Sequence, residues 1–112
     1  MTTGAPATRL MVFLTEDDRA GHESLADALV RRARDAGLAG ATVWRGIEGF
    51  GASGHLRAAR LPDLVRGLPL VVEVIDGSEA VERFIAVVSE LAGGALVTTE
   101  PVSMSRAAPA HD

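Results

Sequence analysis

The chain has 112 residues, a formal net charge of −4, no cysteine and no lysine. This length supports one small domain around one core, the negative charge argues against a general nucleic-acid binder, and the lack of cysteine excludes disulfides and thiolate chemistry. No apolar run reaches the roughly 18 residues of a membrane span, and the opening MTTGAPATRL has no basic segment leading into an apolar stretch, so the expectation is a cytoplasmic protein without direct membrane insertion.

Residues 1–7 are expected to be a flexible N-terminus, 8–103 one folded domain and 104–112 a flexible tail. RLMVFLT, 9–15, is a short apolar run rich in strand formers, and TEDDRAG follows as a polar turn. From Glu23 a helical pattern begins, with Leu25, Ala28, Leu29, Ala33 and Ala36 on one face. Asp27 with Arg31, and Arg31 with Asp35, have the spacing of surface pairs; Gly37 is a natural stop. GATVWRGIEGF reads as a strand interrupted by glycines, and residues 51–68 show no firm period. A connection of that length in a small domain is usually functional or mobile. LPLVVEVID, 68–76, carries the strongest strand signal. DGSE opens a second helix, with Asp76 and Glu79 at capping-box spacing and Val81, Phe84, Ile85, Val88 and Leu91 along one face. Gly93 and Gly94 end it, and ALVTTEPV is the last strand.

The element order is strand, helix, strand, strand, helix, strand. This predicts an α+β, ferredoxin-like βαββαβ fold: a four-stranded antiparallel sheet with two helices on one face. The expected central strands, LMVFL and LVVEVI, are apolar at successive positions. A strand covered on one face alternates instead. The helices account for one face, so the other is expected to pack against another subunit in a closed homo-oligomer. The 47% apolar content points the same way.

TVWRGIEGFGASGH, 42–55, concentrates glycines between charged residues. Gly46, Gly49, Gly51 and Gly54 permit positive φ and close backbone approach, with Arg45, Arg57 and Arg60 nearby. Such a loop presents amide groups and guanidinium forks to a small anionic ligand. A plain bulge and turn at a strand end is the competing reading. The stretch is neither G-x-x-x-x-G-K-[ST] nor a strand-to-helix G-x-G-x-x-G. The GFG string also lacks the stacking aromatics of an RNA-recognition motif, since aromatics are 4% of the chain.

GLAGATVWRGIEGFGASGHLRAARL, followed by DLVRGLPLVVEVIDGSEAVERFI and GALVTTEPV, resembles the family called domain of unknown function 190 (DUF190), a branch of the PII-like superfamily. The resemblance runs from about Leu10 to Val102 and includes the TEDDR turn. It implies ferredoxin-like subunits in a homotrimer, with a long T-loop between the second and third strands. Gly49, Phe50, Gly51, Gly54 and His55 match the glycine-rich start of that loop in signalling PII proteins. The resemblance further implies an adenine nucleotide effector in inter-subunit clefts, no certain cofactor, and regulation of a partner such as a membrane transporter or channel. On this pattern the ligand-binding residues are Arg45, Gly46, Gly49, Phe50, Gly51, Gly54, His55, Arg57, Arg60, Gly93 and Gly94. Ala52 and Ser53 stand where PII proteins carry a glutamine that helps hold metal and 2-oxoglutarate. The T-loop tyrosine and phosphate-gripping lysines are also missing, so the PII pattern of ATP, ADP and 2-oxoglutarate sensing is not expected, and a smaller anionic nucleotide or another effector stays open.

Glu16, Asp17 and Asp18 form an acidic cluster that reads as a solvated turn or as partners for arginines rather than as a metal site. His22, His55 and His111 fit no ligand spacing. Glu73, inside an apolar strand, reads as an interface carboxylate paired with arginine; Trp44 reads as core or interface. No nucleophile, base and orienting acid form a set, so no catalytic residue is expected and the chain is not expected to be an enzyme. The alternatives are a CutA-like trimeric divalent-metal or stress-response protein, or a structural protein-binding trimer.

Overall fold

The computed structural model describes residues 4–51, 53–59 and 67–109. In chain order the elements are β1 (Ala5–Thr15), β2 (Arg19–Ala20), β3 (Glu23–Ser24), α1 (Leu25–Asp35), β4 (Ala41–Arg45), β5 (Glu48–Gly49), β6 (Arg57–Ala58), β7 (Pro69–Asp76), α2 (Ser78–Leu91) and β8 (Leu96–Met104). The main sheet has the order β4-β7-β1-β8, antiparallel throughout. This is the ferredoxin-like arrangement, with the first and third long strands central.

Side chains alternate across a pleated strand, and burial in the central strands follows that period. Leu10, Val12 and Leu14 of β1 and Leu70, Val72 and Val74 of β7 join Leu25, Leu29 and Ala33 of α1 and Val81, Phe84 and Val88 of α2 in one buried cluster. The helix α1 starts where Ser24 caps it, its Oγ accepting from the Asp27 amide at 3.1 Å, a contact of about 1 kcal/mol. Thr8 and Ser78 share a hydroxyl–hydroxyl bond of 2.9 Å that ties the start of α2 to β1.

The opposite face carries the other residues of the same strands. Paired register places Trp44, Val71, Phe13 and Leu96 in one row across it. A second row holds Thr42, Glu73, Met11 and Thr98, and Arg9 lies between Ile75 and Glu100. Trp44 Nε1 donates to Glu73 Oε1 at 3.0 Å, and Arg9 forms ion pairs with Glu73 and Glu100. Arg9 Nε is buried and makes no hydrogen bond.

Several local expectations change. Pairing of β1 with β8 reaches from Ala5 to Met104, so regular structure extends slightly beyond 8–103 at both ends. The TEDDRAG turn contains a small β2–β3 ribbon, with Arg19 opposite Ser24. Arg31 pairs with Glu23 rather than with Asp27 or Asp35, because the ribbon brings Glu23 beside the helix. Its guanidinium is held further in the charged form, first by its hydrogen bond to Glu23 and then by that carboxylate's charge. Ala36 is exposed at the C-cap, whereas Ala26 is buried. The capping box at Asp76 is absent: Gly77 is the N-cap and has no side-chain cap bond. Asp76 instead accepts from the amides of Ala39 at 2.9 Å and Gly77 at 2.7 Å, joining the entry of β4 to the end of β7.

Candidate functional site

The segment between β4 and β7 leaves the sheet at Arg45 and returns at Pro69. Its two roots touch: the Gly46 amide donates to the Pro69 carbonyl at 2.7 Å. A Cβ on Gly46 would sit 3.1 Å from Pro69 Cβ, and one on Gly49 3.1 Å from Pro69 Cγ, so a side chain at either position would press on the Pro69 ring and require it to shift by a few tenths of an ångström. Beyond the roots, β5 and β6 pair antiparallel, Glu48 opposite Ala58 and Gly49 opposite Arg57. The Ala59 amide closes the ribbon on the Ile47 carbonyl at 2.8 Å. Part of the stretch that showed no period is therefore ordered as a short hairpin. Its outer end exposes Phe50 and Leu56, and its base exposes Ile47.

The acidic turn after β1 holds both roots. Glu16 donates its amide to the Leu68 carbonyl at 3.0 Å, and its Oε1 accepts from the Leu68 amide at 3.0 Å. Its other oxygen, Oε2, lies 3.0 Å from Arg45 Nε. Asp17 Oδ2 accepts from Arg57 Nη1 at 2.6 Å. Asp18 shapes the turn itself, accepting from the Thr15 amide at 2.8 Å. Gly67 is buried with φ of +66°, and a Cβ there would collide with both Arg57 Nη1 and Asp17 Oδ2. Only glycine gives the ion pair that space against the backbone.

The structure thus brings Arg45, Gly46, Gly49 and Arg57 to one side of the sheet's end. Phe50, Gly51, Gly54 and His55 lie further out, where Gly54 donates to the Gly51 carbonyl at 2.9 Å and the His55 amide to Ser53 Oγ at 3.2 Å. Arg60 lies outside the described residues, as do residues 61–66 and His111. Gly93 and Gly94 follow α2 and lead into β8, at the same end of the sheet but on its opposite edge. Arg45 ends the β4 edge itself, three strands from β8, whereas Arg57 reaches the turn after β1, the strand next to β8. The acidic turn meets the arginines, as one reading of its sequence expected; its hold on Leu68 was not foreseen, because a backbone contact across the fold has no local sequence signal.

A hollow of about 370 Å³ lies elsewhere: Asp27, Val30, Arg31, Arg34 and Val43 line it between α1 and β4. It is an open groove without the loop arginines, and the convergence of charges at the loop roots is the better guide to chemistry. Among the described residues no group of three or more His, Asp or Glu side chains could hold a metal ion. Among the same residues no helix is long and apolar enough to cross a membrane.

The backbone resembles several solved structures. CPII of Thiomonas intermedia K12, bound to ADP and bicarbonate, matches over 91% of each chain with a TM-score of 0.63 and 18% identity. A protein of Thermus thermophilus described as PII-like signaling matches over 93% of each chain, with a TM-score of 0.68 and 20% identity. A UPF0166 protein of Aquifex aeolicus (strain VF5) is 37% identical over 95 residues, 85% of this chain and 90% of that protein. The fold is thus PII-like, and because the model of DUF190, described as "Uncharacterized ACR", matches residues 7–104, the chain belongs to that family.

Proposed function

We propose that the protein is a regulatory module that binds a small anionic effector, an adenine nucleotide, in clefts between the subunits of a homotrimer. The observation that carries this reading is the convergence of Arg45 and Arg57 on the glycine-lined roots of one loop. Guanidinium forks suit phosphate oxygens. The position of Arg45 on the β4 edge and of Gly93 and Gly94 at the start of the β8 edge suits a cleft made by two copies: the β4 edge of one subunit beside the β8 edge of the next. The half-exposed row of Trp44, Phe13 and Leu96 supports burial of the helix-free face in the assembly. CPII, which shares the fold, is seen with ADP and bicarbonate. In this reading ligand binding changes the exposed end of the loop at Phe50, which regulates a partner such as a membrane transporter or channel in the cytoplasm.

Calorimetry of the purified protein with AMP, ADP, ATP, cyclic AMP and bicarbonate tests the reading. One nucleotide is expected to bind, and Arg45→Ala and Arg57→Ala should each weaken it about 10- to 100-fold, since a charge-assisted bond contributes about 1.5–3 kcal/mol. Binding unaffected by either substitution would remove the site assignment; no binding by any of these ligands would remove the effector class.

A further inference from the structure

The loop arginines are not bare. Both are neutralised by carboxylates of the same turn, and the two carboxylates are built differently. Glu16 is anchored: besides Arg45 it engages the amide and carbonyl of Leu68 through its side chain and backbone. Asp17 is 58% exposed, and its side chain reaches Arg57 from the solvent side over the bare backbone of Gly67. Its carboxylate oxygen occupies a guanidinium nitrogen at 2.6 Å, the place and distance a phosphate oxygen would take.

We propose that Asp17 is an internal competitor for the anion, setting its affinity by occupying Arg57 until ligand displaces it, while Glu16 stays in place and fixes the loop roots. The inference rests on the anion-binding reading above and adds the residue that tunes it. The Asp17 side of the pair is more than half exposed, so water screens it, whereas a phosphate held by two guanidinium groups gains several charge-assisted bonds. Exchange therefore favours a multivalent anion over a single carboxylate. A monoanion such as bicarbonate, offering fewer oxygens, displaces Asp17 less well than a diphosphate does. The turn thereby discriminates by ligand charge as well as by fit.

The test is calorimetric titration of the intact oligomer with ADP. Asp17→Asn should bind ADP about 3- to 10-fold more tightly than the unaltered protein, and Asp17→Ser should do the same. Asp18→Asn, which removes an equal charge one residue away but keeps an acceptor for the Thr15 amide, should change affinity less than about 2-fold. Adding Arg57→Ala to Asp17→Asn should abolish the gain. ADP binding that is unchanged or weaker in both Asp17 variants overturns the competitor role and leaves the anion site standing, with Asp17 as a positioning residue. Equal gains from Asp17→Asn and Asp18→Asn overturn it in favour of general charge. Absence of ADP binding in every variant overturns the competitor role together with the nucleotide reading.

Discussion

The two faces of the sheet are made by the same strands yet have opposite characters. On one, Leu10, Val12, Val72 and Val74 are essentially inaccessible beneath two helices. On the other, Phe13 and Trp44 of the same sheet are 38% and 57% exposed, and Arg9 meets Glu73 and Glu100. A single subunit thus completes one core and leaves a second half-built. The open face carries an apolar row at the loop end and a charged row at the other, and it includes a buried arginine nitrogen without an acceptor. Buried donors in finished interiors are almost always paired. The difference separates what the chain needs in order to fold from what the proposed homotrimer would need.

Charge introduced on the sealed face should break the subunit itself. Val72 has no exposed surface. Val72→Asp places a carboxylate where nothing can pair with it, a change in the class that costs about 4 kcal/mol or more, comparable with the whole stability of a small domain. Loss of the far-ultraviolet circular dichroism signal, or recovery only as aggregate, is the expected result. A folded Val72→Asp protein that merely dissociates would reverse the assignment of the two faces.

The same change one residue earlier should act differently. Val71 pairs with both Phe13 and Trp44 in the open row. Phe13→Asp or Val71→Asp should leave a folded chain with near-native circular dichroism and abolish the homotrimer in sedimentation. Assembly that survives both substitutions would place the subunit interface elsewhere.

This contrast was partly legible in the sequence. LMVFL and LVVEVI are apolar throughout, so their period does not say which residues face the helices. Glu73 does: a carboxylate cannot point into a dry core, and its parity sends Val72 and Val74 inward and Val71 and Ile75 outward. The element order and helix faces were readable because apolar periodicity extends over many residues. The β5–β6 ribbon was not, because two-residue pairings are too short to show a period. The site divides in the same way. Arg45, Gly46, Gly49 and Arg57 were marked by composition and family pattern, but the hold of Glu16 on Leu68 joins positions far apart in the chain. Gly67 had a clear role only once Arg57 and Asp17 were seen over it.

The smallest effect is expected where the open face is polar. Glu73 is largely covered, with 16% of its side chain exposed, and it accepts from Trp44 while lying 3.7 Å from Arg9 Nε. Glu73→Gln keeps an acceptor for the indole and removes the charge. Arg9 retains Glu100, and Arg9 is itself 38% exposed, so water screens the loss. Thermal unfolding should therefore show a loss of about 1 kcal/mol or less, and the emission of Trp44, the single tryptophan, should stay close to that of the unaltered protein. Glu73→Leu goes further. It removes the indole's acceptor and leaves Arg9 beside an apolar side chain, so a larger loss and a shifted tryptophan emission are expected. If Glu73→Gln instead dissociates the oligomer while Phe13→Asp does not, the charged row rather than the apolar row joins the subunits, because the lost carboxylate would then have been a partner for a neighbouring copy.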